Sequence, residues 1–376
     1  MWIYHSTLMQ MIVIDTITDN THRRCAHCLA LVTKVLLGRV RTGPPSETNE
    51  NMRLKFGFHA PSLALVAIAM LSSSAFAADE AVKVGLVTRT DSNPFFVKLR
   101  EDAQAYAKTA GAEIVAITGK THDDAAGQVA AIEDLTALGV KGILVTPSDA
   151  EALNDAIAKA RAAGILVIAL DGRVSPDSAV DATFATDNLQ AGVLQGQWVR
   201  AALGDTAPRV ALVDGTRGTV STRERHDGFL KGFGLQEGAP EIIAQQNISN
   251  QAEAQTALEN FFQKDPTINA VYTVYEPAAV SAHAVTSALG LAGKVAIGSI
   301  DGSCDGIKAV AAGQVGATVV QFPGKMAELG VQAVVDYART GAKPSGFIDS
   351  GAVLVTDKPF EGIASQNSAW GLKNCW

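Results

Sequence analysis

From Val82 onward the chain alternates short, mostly β-branched apolar runs with longer segments whose apolar residues recur at helical spacing. Val82-Lys-Val-Gly-Leu-Val87 opens the series and leads through the loop 88–94 into a helix at 95–109, where Leu99, Ala103, Tyr106 and Ala107 fall near helical intervals. Gly111 stops that helix, and Glu113-Ile-Val-Ala-Ile117 begins the next strand. The cycle continues with helix 123–138, strand Gly142-Ile-Leu-Val-Thr146, helix 149–163 and strand Leu166-Val-Ile-Ala-Leu170. Apolar strands alternating with helices predict a parallel sheet covered on both faces. Their crossovers are expected to be right-handed.

The pattern then restarts. Helix 191–203, strand Arg209-Val-Ala-Leu-Val213, helix 223–233 and helix 251–264 come first. Strand Ala270-Val-Tyr-Thr-Val274, helix 278–289, strand Val295-Ala-Ile-Gly-Ser-Ile300, helix 303–312 and strand 316–320 follow. Helix 325–340 and an extended return from Phe347 complete the chain. The fold class is α/β, with two Rossmann-like lobes built on parallel-sheet cores. Chain crossings are expected near 184–188, 321–323 and 350. They give an N-terminal lobe of 78–186 plus 322–350 and a C-terminal lobe of 187–321 plus 351–376. Lobes made of discontinuous segments and joined by several strands form a hinge across a cleft.

Ahead of the first strand stands a different pattern. Arg53 and Lys55 precede the apolar run Leu63-Ala-Leu-Val-Ala-Ile-Ala-Met-Leu71, followed by Ser72 to Ser74 and an Ala-x-Ala site ending at Ala77. That order is the signature of a secretory signal peptide at 52–77, and its apolar core is too short for a stable membrane anchor. Met52 supplies a start, so residues 1–51, which lack sustained periodicity, are expected to be a mis-assigned upstream extension. Cys25-x-x-Cys28, near His22 and His27, has ligand-like spacing, but a single pair without an evident core carries no metal assignment.

Composition narrows the function. Charged residues are 18% of the chain and the formal net charge is −7, without a basic cluster suited to a phosphate backbone, so no nucleic acid partner is expected. After the leader about 300 residues remain, enough for a large core that commonly divides in two. They contain Cys304 and Cys375, and in an oxidising compartment an even pair favours one disulfide.

In open parallel sheets ligands bind beyond the C-terminal strand ends. Those positions hold Arg89 and Asn93, Thr146, Asp171 and Asp301, while Gln321 sits at a proposed crossing. Phe95 and Phe96 follow Asn93-Pro94 at a helix start. Carboxylates and amides satisfy the hydroxyl edge of a polyhydroxylated ring, and an aromatic side chain covers its C–H face. Arg225 can donate a fork of bonds to ring or hydroxyl oxygens. Each has a structural alternative: Asn93 as a cap, the phenylalanines as core, the Asp-Gly pairs as turns and Arg225 as a surface ion-pair partner. Trp198 is expected to pack against the hinge or sheet. Gly215-Thr-Arg-Gly218 is too short for a phosphate loop, and the first strand lacks a Gly-x-Gly-x-x-Gly fingerprint. His122, His226 and His283 are scattered, and no base-activated nucleophile is evident, so no catalytic residue, cofactor or metal is assigned.

Asn93-Pro-Phe-Phe96, Val167-Ile-Ala-Leu-Asp171, Ala185-Thr-Asp-Asn188, Arg223-Glu-Arg-His-Asp-Gly-Phe229, Ser299-Ile-Asp-Gly302 and Gln321-Phe-Pro323 occur in order. This set resembles the periplasmic sugar-binding proteins of the ribose-binding type (periplasmic binding protein type I), over about residues 82–376. Thr88-Arg-Thr-Asp-Ser-Asn-Pro-Phe-Phe96, Asp265-Pro-Thr-Ile-Asn269, Glu276-Pro277 and Leu372-Lys-Asn-Cys375 are closer to the fructose-binding branch. The resemblance implies a monomeric periplasmic protein that passes a monosaccharide to the permease subunits of an ABC importer. It implies sugar contacts by Asn93, Phe95, Phe96, Asp171, Arg225, Asp301 and Gln321. Five positions depart from the ribose pattern. Gly172 stands where ribose binders carry arginine, and Arg89 replaces a small polar residue and is placed to fill that space. Thr146 and Tyr275 stand where asparagines are usual, and Asn250 falls near a family aromatic. These four, Arg89, Thr146, Asn250 and Tyr275, are secondary candidates for ligand contact. A pentose or sugar alcohol ligand, or a sensor subunit serving a receptor, are alternative readings. A cleft enzyme lacks a catalytic pair, and a sugar-responsive regulator would need a DNA-reading helix pair where the leader stands.

Overall fold

Uninterrupted apolar runs explain the two sheets at the centre of the molecule. The computed structural model describes residues 81–376, so the leader, the segment 1–51 and the Cys25/Cys28 pair lie outside the described residues. The chain begins with β1 (Val82–Thr88), α1 (Pro94–Ala110), β2 (Ala112–Thr118), α2 (Ala125–Leu138), β3 (Gly142–Val145), α3 (Asn154–Ala162), β4 (Leu166–Leu170) and β5 (Ala182–Ala185). It continues through α4 (Asn188–Leu203), β6 (Val210–Asp214), α5 (Val220–Phe233), β7 (Ile242–Asn247), α6 (Gln251–Lys264), β8 (Ala270–Thr273) and α7 (Glu276–Ala288). The last elements are β9 (Ala296–Asp301), α8 (Cys304–Ala311), β10 (Ala317–Val320), α9 (Pro323–Thr340), β11 (Gly346–Asp349), β12 (Val353–Val355) and α10 (Ser368–Asn374).

The first sheet has the order β11-β5-β4-β3-β1-β2 and the second the order β12-β10-β9-β8-β6-β7. Every pairing in the first sheet is parallel. In the second, β12 alone runs antiparallel, on β10. β3 and β4 are buried at every position, as central parallel strands covered on both faces must be. These sheets and their covering helices realise the α/β class expected from the sequence.

The chain passes from one sheet to the other after β5, returns after β10 and passes again after β11. Helix α9 therefore follows a second-sheet strand yet packs on the first sheet. Its Met326, Val331 and Val334 join Leu99 of α1 and Leu144, Ile168 and Phe184 of the strands in one cluster. Across the sheet, Ile132 and Leu135 of α2 and Ile157 of α3 cover Ile143 and Val167. The second sheet has one core, to which α4 contributes Trp198 and Val199 and α5 contributes Phe229. Trp198 also donates from Nε1 to the Lys358 carbonyl (3.0 Å), so it packs against this sheet and its C-terminal return.

Three elements lie beyond the sequence expectation: β5, β7 and α10. β5 is only four residues, and β7 is an edge strand with no buried position, so neither has a strong apolar run. α3 begins at Asn154, not 149, because Asp149 Oδ1 accepts the Glu151 and Ala152 amides (both 2.8 Å) and holds the preceding residues in a turn.

Candidate functional site

Strand ends from both sheets converge on one cavity. The first sheet supplies Arg89 just past β1, the start of α1 and Asp171 just past β4, while the second supplies Asp301 at the end of β9. Arg225 enters from α5, and Gln321 from the link between β10 and α9. Among the described residues, Asp171 (φ 67°) and Asp301 (φ 151°) are the two non-glycine positions with positive φ. Such backbone is costly for a side-chain-bearing residue and collects at ligand clamps.

The arrival of Arg225 depends on how closely α4 and α5 approach. A Cβ on Gly192 would lie 2.2 Å from the Arg225 carbonyl oxygen, and one on Gly228 would lie 2.1 Å from that of Leu189. Only bare glycine backbone permits this contact. It sets Asn188, at the first turn of α4, beside Arg225, whose Nε donates to Asn188 Oδ1 (2.7 Å) and whose Nη1 donates to the Val274 carbonyl (3.0 Å). Asn188 Nδ2 in turn donates to the Asp171 and Thr186 carbonyls (3.2 and 3.1 Å).

Two guanidinium groups and two carboxylates then face one another, all buried. Arg89 Nη2 lies 3.5 Å from Asp171 Oδ2, Arg225 Nη2 lies 4.0 Å from Asp171 Oδ1, and Arg225 Nη1 lies 3.8 Å from Asp301 Oδ1. These separations are ion pairs without tight hydrogen bonds, so donor and acceptor capacity remains in the cavity. Gln321 Nε2 donates to Asp301 Oδ1 (2.9 Å), leaving Gln321 Oε1 buried with no partner, as is Arg89 Nε. Buried polar groups normally find partners, so such atoms point to a ligand or water. Burial pushes the Asp301 carboxyl up to about 8; Arg225 opposes the shift and the charges of Glu276 and Asp171 add to it.

Aromatic rings also line the cavity. Phe95 and Phe96 meet edge to face, with centroids 5.4 Å apart, and the Arg89 guanidinium carbon lies 5.6 Å from the Phe96 centroid. Asn93 caps α1 by accepting the Phe95 amide at Oδ1 (2.9 Å), yet it also lines the cavity. Its capping and lining positions are compatible because Nδ2 is not used by the cap. His122, beyond β2, stacks on Tyr275, beyond β8, with centroids 6.4 Å apart and planes 10° from parallel. Burial, then the charges of Arg89 and Arg225, lower the His122 pKa to about 3, so the ring is neutral and its Nε2 accepts from Arg89 Nη1 (3.1 Å). Burial likewise raises the Tyr275 phenol above its ordinary range and keeps its hydroxyl protonated.

The structure thus brings Asn93, Phe95, Phe96, Asp171, Arg225, Asp301 and Gln321 together, with Arg89 and Tyr275 from the secondary set. Two secondary candidates are placed elsewhere. Asn250 is the N-cap of α6, where Oδ1 accepts the Glu253 amide (2.9 Å) and Nδ2 donates to Glu253 Oε1 (2.8 Å). Thr146 is fully buried just past β3 and is not among the cavity-lining residues. Sequence reasoning passed over His122, Ser221 and Thr222 as cavity residues and Asn188 as the brace of Arg225. A helix-start asparagine reads as a cap, and a lone loop histidine gives no pattern.

Cys304 and Cys375 are joined, with Cα atoms 4.9 Å apart, and tie the C-terminal tail to the start of α8.

A family model described as the periplasmic binding protein domain matches residues 84–343. The D-allose-binding periplasmic protein of Escherichia coli (strain K12) is 30% identical over 278 residues, covering 72% of this chain and 88% of that protein. The ribose import binding protein of Haemophilus influenzae is 33% identical over 262 residues, covering 69% and 86%. Among solved structures, an ABC transporter periplasmic solute binding protein from Actinobacillus succinogenes with bound D-allose shares 26% identity at a TM-score of 0.66, covering 72% of this chain and 96% of that one.

Proposed function

The chain belongs to the periplasmic binding protein domain family, and from that premise we propose that it captures a monosaccharide in the cavity and delivers it to the permease of an ABC importer. One observation carries the reading: carboxyl groups from two different sheets, Asp171 and Asp301, flank one guanidinium, Arg225, in a cavity also lined by the paired rings of Phe95 and Phe96. Carboxyl oxygens accept hydrogen bonds, so Asp171 and Asp301 favour a ligand rich in hydroxyl donors, while Arg225 and Arg89 supply donors to its oxygens. The rings cover an apolar C–H face. Binding and not catalysis is the task, and the periplasm is the compartment.

The lobes 78–186 with 322–350 and 187–321 with 351–376 are the units of motion. A sugar touching both favours the closed state in proportion to its extra affinity for that state. Fructose or a related ketohexose is the favoured ligand. A Cβ on Gly172 would lie 3.2 Å from Arg89 Nη2, so Arg89 occupies the space beside Gly172 and reshapes that end of the cavity. Tyr275 adds a ring and a hydroxyl to the lining, stacked on the His122 ring that accepts from Arg89.

Isothermal titration of the mature protein against ketohexoses, ribose, allose and polyols tests this. Saturable binding of a ketohexose ahead of the others is expected, and no heat with any sugar at millimolar concentration refutes the assignment. Asp171→Ala is expected to weaken binding at least about tenfold, because buried hydroxyl donors lose a charged acceptor.

A further inference from the structure

The last residue of the chain, Trp376, touches three of the proposed sugar contacts without lining the cavity. Its indole Nε1 donates to the carbonyls of Gln321 (3.0 Å) and Asp301 (3.3 Å). Its ring meets Phe95 edge to face, with centroids 5.7 Å apart and planes at 79°. The Trp376 carbonyl accepts the Cys304 amide (2.9 Å), and the neighbouring Cys375 is bonded to Cys304. The residue is therefore anchored twice to α8 on the second sheet's side, while its ring packs against the hydrophobic cluster of the first sheet.

We propose that Trp376 is a positioning residue that latches the closed state and sets the aromatic wall of the sugar site. The proposal rests on the sugar-binding reading above. The Phe95 contact joins the two lobes, so opening must break it, whereas the bonds to Asp301 and Gln321 hold the backbones of the acidic and amide contacts in register. A contact made in the closed state alone shifts the lobe equilibrium, and through it the apparent affinity and the dissociation rate. The disulfide holds the neighbouring Cys375, and with it Trp376, against the start of α8.

Trp376→Ala and Trp376→Phe separate the parts of this latch. Removing the ring is expected to weaken sugar binding by about 3- to 10-fold, the range of an aromatic pair, chiefly through faster dissociation in stopped-flow. The phenylalanine variant keeps a ring but loses the N–H and is expected to fall between. In ligand-free protein carrying a spin label on each lobe, Trp376→Ala is expected to lengthen the mean interlobe distance, while the unfolding temperature stays put. Two results overturn the latch: unchanged interlobe distances with unchanged dissociation, or losses that only track a lowered unfolding temperature. The ligand-free distances report on the latch even if no sugar binds, so failure of the sugar assignment is read separately.

Discussion

Asp171 and Asp301 hold their carboxylates over the cavity from backbone conformations that glycine tolerates better, and their ring of partners is what sustains them there. Asn188 is the least conspicuous member of that ring. It accepts from Arg225 and donates to the Asp171 carbonyl, so one amide joins a cation on α5 to a strand end of the first sheet. Asn188→Ala leaves Arg225 Nε without its acceptor in a buried place. It is expected to cost about 1–3 kcal/mol of unfolding free energy in urea titration and to weaken sugar binding in parallel. Much of this scale was readable beforehand. Polar residues just past apolar runs, such as Asp171 and Asp301, are legible because strand ends are where open sheets bind ligands. Asn188 and His122 were not legible as site residues: their roles depend on packing between segments far apart in the chain, and neither carries a local pattern. Asn250 misled for the converse reason, since the same side chain chemistry serves a helix cap.

The decisive element contact is the crossing of α4 and α5. Gly192 and Gly196 of α4 face Gly228 and Gly232 of α5, and at all four a Cβ would come within 2.3 Å of a backbone oxygen of the opposite helix. Gly228→Ala is expected to force the helices apart and cost about 1–3 kcal/mol by overpacking. Because Arg225 is carried on α5, calorimetric sugar affinity should fall as well, although the substituted residue does not line the cavity. Elements with buried apolar runs or marked helical spacing were legible, including β4 and α6, whose limits match the sequence expectation. β7 was not, because an edge strand has one side unpaired and needs no continuous apolar run.

At the scale of the molecule, two sheets exchange the chain three times, after β5, β10 and β11. Packing holds each late segment on its sheet. Phe347 pairs in register with Thr183 of β5, and Tyr106 of α1 donates its hydroxyl to Gln332 Oε1 of α9 (2.8 Å). The first sheet is thus left without one covering helix and one edge strand until the last part of the sequence has been made. Contacts between such distant residues form slowly, because loop closure is costly before any reward arrives. A chain ending at residue 321 should accordingly remain open to proteolysis throughout its first half, whereas the mature protein resists, a contrast that limited digestion would display. An emerging polypeptide with this topology cannot lock prematurely, and it stays threadable for as long as its tail is still on the ribosome.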